Sequence, residues 1–222
     1  MLYLEIGKKI PNMERKVSIR QLERYPHYLN FLLSLRNSGV TSVTTSTIAK
    51  AMGNSEEQVR KDFQIFTRSY GKPGCARKID ILIEDLKEYL GYNKTNNAIV
   101  VGVGNLGNAF MSFGGFDDFG LKIIAGLDVN PEVVGKSING KTVYSIYEIN
   151  KIVQDLHIDI AILTTPKNVA QEVATKLSNS GIKAIWNFVP VRLNVENVVV
   201  ENVELASSLA VLAHKLNESK GE

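Results

Sequence analysis

The sequence predicts an α/β chain in two parts: a helical, basic front and a back in which strands and helices alternate. Three observations carry that prediction. Residues 1–94 hold 16 Lys and Arg against 10 Asp and Glu, whereas residues 95–222 hold 10 against 13. Near Gly91 and Asn93–Asn97 the pattern changes from helix-spaced apolar residues to short continuous apolar runs. A glycine-rich turn, Gly102–Gly107, follows the first of those runs. A basic front suits a polyanion. The 222 residues, 44% hydrophobic and 22% charged, have an ordinary globular composition. No window approaches 18 consecutive apolar residues, which excludes a membrane-spanning helix. The first sixteen residues hold no apolar run long enough for a signal-peptide core. Cys75 is the only cysteine, which excludes an internal disulfide and a Cys-based metal site. Together these features lead us to expect a cytoplasmic location.

In the front, Tyr25, Tyr28, Leu29, Leu32 and Leu35 recur at helical spacing, and Gly39 closes that helix. Thr44-Thr45-Ser46 offers N-caps for a short helix to Met52. After the Gly53-Asn54 turn, Ser55 with Gln58 three residues on reads as a capping box, starting a helix at Glu56. Val59, Phe63 and Phe66 share its inner face. Gly71, Pro73 and Gly74 break the chain, and Ile79–Leu90 is a fourth helix.

In the back, Ala98–Val101, Leu121–Leu127, Asp159–Leu163 and Ile182–Phe188 are apolar runs of buried-strand character, with a further strand at Val198–Val200. Helical stretches around Leu106–Phe113, Ile146–Leu156 and Val169–Ser178 lie between them. Alternation of this kind implies a parallel sheet with helices on its faces. A last helix from Val203 carries Leu205, Leu209, Leu212 and Leu216 as a stripe.

Gly102-Val103-Gly104-Asn105-Leu106-Gly107 is a G-x-G-x-x-G between a strand and a helix, the context of a dinucleotide site. Gly102 allows the tight turn, Gly104 the approach of a pyrophosphate, and Gly107 close packing of helix on strand. The helix N-terminus offers free N–H groups to phosphate. Asp128 ends the second strand where a ribose-binding acid belongs, followed by Val129. Such a carboxylate accepts the ribose hydroxyls and repels a 2′-phosphate, which favours NAD and NADH over NADP. Thr164-Thr165-Pro166 and Asn187 end two further strands, where ligands bind in such sheets. A Rossmann domain over residues 95–202 is therefore expected.

A dehydrogenase would need a proton-moving group and a substrate pocket. His27, His157 and His214 form no triad or metal pair, and about 20 residues after the sheet are too few for a substrate domain. A small NAD-dependent oxidoreductase with an N-terminal dimerisation module is the alternative reading, and a CoA-binding relative a third. Asp128 opposes the third, since CoA carries a 3′-phosphate.

Short helices, a turn and a basic loop describe a winged helix over residues 1–94. The helix after Gly53-Asn54 is the expected recognition helix. Ser55 meets a phosphate, and Gln58, Arg60, Lys61 and Gln64 face double-stranded DNA. Lys72, Arg77 and Lys78 belong to the expected wing.

The chain resembles the Rex family of bacterial redox-sensing transcriptional repressors over nearly its full length. The residues that carry the resemblance are Gln58-Val59-Arg60-Lys61-Asp62-Phe63, Gly102–Gly107 with Asn108-Ala109, Asp128-Val129-Asn130-Pro131, Gly181–Pro190 and the leucine-striped terminal helix. The resemblance implies a homodimer whose terminal helix, residues 203–222, is swapped onto the partner. It implies a repressor rather than an enzyme, released from operator DNA by NADH and permitted by NAD⁺ to bind. It also implies that Phe113 and Leu205 stand near the nicotinamide. Phe113 replaces a frequent Tyr, Leu205 an aromatic found in some relatives, and Lys72–Lys78 departs from the common wing sequence.

Overall fold

The computed structural model describes residues 17–68 and 75–220. The chain divides into two compact units, Met1–Lys94 and Thr95–Glu222.

In the first unit, α1 (Ile19–Asn37), α2 (Thr45–Met52) and α3 (Glu56–Phe66) each start on a hydroxyl cap. Ser18, Thr44 and Ser55 accept from the backbone N–H three residues on. Gly53 ends α2 in the left-handed region at φ 65°. The expected capping box is only half formed. Ser55 Oγ accepts from Gln58 N at 3.2 Å, but the Gln58 side chain turns inward to Asp62 at 2.9 Å. Strand β1 (Ser42–Val43) pairs antiparallel with β2 (Arg77–Lys78), which leads into α4 (Ile79–Tyr89). Tyr25, Tyr28 and Leu32 of α1 pack with Val59, Phe63 and Phe66 of α3 and Leu82 and Leu86 of α4. Each such buried side chain contributes roughly 1.5–3 kcal/mol before ordering costs.

The second unit is a seven-stranded sheet. Its strands are β3 (Asn96–Val101), β4 (Leu121–Asp128), β5 (Ser137–Ile138), β6 (Lys141–Ser145), β7 (Ile160–Leu163), β8 (Ala184–Asn187) and β9 (Val199–Asn202), in spatial order β5-β6-β4-β3-β7-β8-β9. All pairs are parallel except β5 with β6. The chain runs outward from β3 to β6, then returns to the other side of β3 as β7, so a crevice opens at the carboxyl end of β3. Helix α5 (Asn105–Ser112) packs on one face through Met111, and α6 (Ile149–Asp155) and α7 (Ala170–Asn179) cover the other.

The β5–β6 hairpin was not read from the sequence. Its turn is Asn139-Gly140, with φ of 49° and 76°, a two-residue turn of the kind that suits the strand twist. Asn139 Nδ2 donates to Ser112 O at 3.1 Å and Lys141 Nζ to Met111 O at 2.6 Å, so the hairpin holds the carboxyl end of α5. The last helix, α8 (Leu205–Lys220), carries the expected stripe, and Leu205, Leu209, Leu212 and Leu216 are all more than half exposed.

Candidate nucleotide cleft and nucleic-acid surface

The glycine turn is held by packing on two sides. Gly102 lies at φ 93°, and a Cβ there would come within 2.9 Å of the Thr164 carbonyl and the Thr165 nitrogen. A Cβ on Gly107 would overlap the Gly102 carbonyl oxygen, whereas one on Gly104 would meet nothing. Space is therefore excluded where helix and strand meet and open where a phosphate would approach. Gly104 is the N-cap of α5 and leaves that end without a side-chain cap. Asn105 and Leu106 are exposed there, while the Val103 side chain is buried.

Asp128 closes this turn from β4. Its carboxylate accepts from Val103 N at 2.6 Å and Asn130 N at 2.8 Å. A carboxylate has about four acceptor positions, so two remain for a ligand. Beside it runs a cleft of about 310 Å³ lined by Gly102, Asp128, Val129, Thr165 and Pro166, with Ile146, Tyr147 and α7 as further walls. Thr165 Oγ1 is buried there and has no partner among the described residues. Thr164 serves the scaffold instead, its hydroxyl donating to Gly102 O at 2.7 Å.

Asn187 departs from its expected place at the ligand. It is fully buried, its amide nitrogen donates to Val191 O and Asn202 Oδ1, and its oxygen accepts from Val189 N. It shapes the loop after β8 and has no donor left. Phe113 is 54% exposed and meets the Phe116 ring edge-on at 4.9 Å. Leu205 lines a separate hollow of about 460 Å³ with Phe188, Pro190 and Arg192. Neither shares the cleft beside Asp128.

In the first unit, α3 presents Arg60, Lys61 and Gln64 outward. Lys61 pairs with Glu57 at 2.7 Å. The inner face carries Asp62, fully buried, which the sequence reading quoted in a motif but gave no role. It accepts from Gln21 Nε2 (3.0 Å), Arg24 Nε (2.7 Å) and Nη2 (2.8 Å), Tyr28 Oη (2.8 Å) and Gln58 Nε2 (2.9 Å). Val59, Asp62, Phe63 and Phe66 follow the i, i+3, i+4, i+7 pattern, and that spacing was the signal for a buried acid. Burial and the bond to Asp62 push the Tyr28 hydroxyl up to about 12, and Asp62 also raises Arg24. Gln58, expected at DNA, is thus tied inward. Arg77 is half-buried with its guanidinium 5.7 Å from the centre of the Phe63 ring, and burial lowers its pKa. Lys78 is exposed, and Lys72 lies outside the described residues.

A unit whose third helix turns Arg60, Lys61 and Gln64 outward, joined in one chain to a sheet with an open glycine turn and a ribose-type acid, defines the class: a nucleotide-type Rossmann unit linked to a DNA-binding unit. Comparison with known proteins narrows it. The family model for the CoA binding domain matches residues 93–191, and the model "Putative DNA-binding protein N-terminus" matches residues 16–64. The redox-sensing transcriptional repressor Rex of Caldicellulosiruptor saccharolyticus is 38% identical over 92% of this chain and 94% of its own. That of Bacteroides thetaiotaomicron is 36% identical over 91% and 92%. The crystal structure of RSP with β-NAD⁺ and operator DNA superposes with a TM-score of 0.86 at 34% identity, covering 93% of this chain and 95% of that one. RSP with β-NADH gives 0.83 at 33%, covering 93% and 97%. The chain belongs to the Rex family of redox-sensing transcriptional repressors. It is a regulator rather than an enzyme.

Proposed function

We propose that this chain is a cytoplasmic, homodimeric repressor that binds operator DNA in its NAD⁺ or apo state and is released by NADH. The observation that carries this is the open Gly104 position beside the half-used Asp128 carboxylate, in a chain whose other unit presents Arg60 and Lys61. Residues 1–94 serve as the winged-helix domain, 95–202 as the nucleotide domain, and 203–222 as a helix swapped onto the partner. Backbone groups of Gly102–Gly107 hold the pyrophosphate, Asp128 the ribose, and Val129, Thr165 and Pro166 the cleft walls. Asp128 also favours NAD(H) over CoA, whose 3′-phosphate it would face. The exposed leucine stripe of α8 supports dimerisation, because such an apolar face needs a partner.

Phe113 and the partner's helix, with its own copy of Leu205, surround the nicotinamide with apolar groups. That enclosure costs a cationic ring its hydration and favours a neutral one. Closure around the neutral ring is linked to DNA release only if the two states differ in affinity for it. On the DNA side Ser55, Arg60, Lys61, Gln64, Lys72 and Lys78 make the contacts, while Gln58 is held by Asp62 and Arg77 packs against Phe63.

The test is an operator titration of the full chain with NAD⁺ and with NADH. NADH should weaken operator binding and NAD⁺ should not. Arg60→Ala should cost about 1–3 kcal/mol of operator affinity and leave NADH binding intact. Operator affinity unchanged by saturating NADH would sink the proposal.

A further inference from the structure

The first unit holds a second buried carboxylate besides Asp62, on α4. Asp85 Oδ2 accepts from the Arg68 backbone N–H at 3.1 Å. Asp85 Oδ1 stands 3.5 Å from Arg68 Nε and has no hydrogen-bond partner among the described residues. Arg68 directly follows Thr67, the buried C-cap of α3, whose N–H and hydroxyl both return to Phe63 O. The Arg68 guanidinium also pairs with Glu88, three residues beyond Asp85 on α4. Arg77 of β2 acts on the same carboxylate. Burial pushes the Asp85 carboxyl up, and the backbone bond and the charges of Arg68 and Arg77 pull it down. Asp85 therefore holds the chain where it leaves α3 and attracts it again at β2.

Helix stability does not account for this placement. A negative charge at the carboxyl end of α3 opposes the helix dipole. A buried ion pair also adds little stability over apolar side chains of the same volume. What it adds is direction, since hydrogen bonds are confined to narrow ranges of distance and angle while apolar contact is non-directional. Arg60, Lys61 and Gln64 project from α3, and Lys78 follows Arg77 on β2. Resting on the DNA-binding reading above, we propose that Asp85 is a positioning residue for operator recognition. It fixes the end of α3 and the start of β2 to α4, and so sets the outward groups of α3 and Lys78 in one register. A displacement of about 1 Å takes a hydrogen bond to a base edge out of range.

The experiment measures the affinity of the full chain, with NAD⁺ present, for an operator duplex selected on the wild type. Asp85→Asn keeps the shape and an acceptor for the Arg68 N–H but removes the charge. It should weaken operator binding by roughly fivefold to a hundredfold, the range for a lost base contact, and leave NADH affinity unchanged. Removing an acid makes the chain more positive, which by itself strengthens DNA binding. A loss therefore has the sign of lost positioning and not of changed charge. The double variant Asp85→Leu with Arg68→Met replaces the pair by apolar groups. It should resist urea as well as the wild type does and still lose operator affinity. Operator binding like the wild type in either folded variant overturns the proposal and leaves the DNA-binding reading standing. Failure of both variants to fold makes Asp85 a folding residue and overturns the proposal as well. A wild type that binds no duplex overturns both readings.

Discussion

Asp62 and Asp128 are both carboxylates near the edge of an apolar cluster, and they do opposite work. Asp62 sits on the inner face of α3 with no exposure and accepts five hydrogen bonds from four side chains. Its acceptor capacity is spent within the fold, so it can fasten α1 to α3 but offers a ligand nothing. Asp128 ends a strand at the mouth of a cleft and accepts two bonds, both from backbone N–H groups. Those bonds fix its direction and leave acceptor positions open. The difference between an anchor and a binding group lies in unused hydrogen-bonding capacity, not in residue type.

The comparison breaks most visibly at Asp62. Asp62→Ala should remove about 3–5 kcal/mol from the first unit, the cost of breaking a buried pair and leaving Arg24 uncompensated. Urea unfolding would show this, together with lost operator binding and retained NADH binding. Operator binding and unfolding like the wild type would show that Asp62 is no anchor.

Asp128→Ala should spare the fold more and the ligand less. Loss of a charged acceptor from the ribose should cost about 1.5–3 kcal/mol of NADH affinity. The preference for NADH over NADPH should narrow at the same time. A wild type that binds both dinucleotides equally well would remove Asp128 from the ribose.

The smallest effect sharpens the anchor. Tyr28→Phe deletes one donor to Asp62 and should cost about 1 kcal/mol at neutral pH. The Tyr28 hydroxyl titrates at about 12 in the folded chain, above its ordinary value of 10. A raised value means the folded state keeps its proton longer, so this contribution is intact below pH 10 and is lost as pH rises toward 12. Stability of the wild type should fall across that window, and the Phe variant should fall less steeply. Identical slopes would detach Tyr28 from the network.

Much of this arrangement was legible in the residues, where the cause is local. Thr44 and Ser55 cap helices because a hydroxyl reaches the N–H groups of its own first turn, whereas the Ser18 cap of α1 emerged only with the fold. The glycine turn was legible because its demand on φ and on Cβ space is met by glycine alone at Gly102 and Gly107. Other features depended on distant partners. The β1–β2 pair, two residues a strand, has too little pattern to read. The Asn139-Gly140 hairpin did carry a turn signal, but its strands are short and sit at the sheet edge. Gln58 and Arg77 looked like DNA contacts because their chemistry suits DNA. Only the packing shows Gln58 turned to Asp62 and Arg77 laid against Phe63.

What the sequence determined by itself was the two-part division, the order of the helices and of the five strands β3, β4, β7, β8 and β9, the strand–glycine–helix turn and an acid at the end of the second of those strands. Each follows from periodicity or backbone geometry within a few residues. Tertiary structure alone decided which polar groups are spent and which are open. Asn187 and Asp128 both end parallel strands, yet Asn187 is consumed by Val191 and Asn202 while Asp128 keeps half its capacity. Hydrogen-bonding capacity is used up by partners far along the chain, so no local pattern can show what remains.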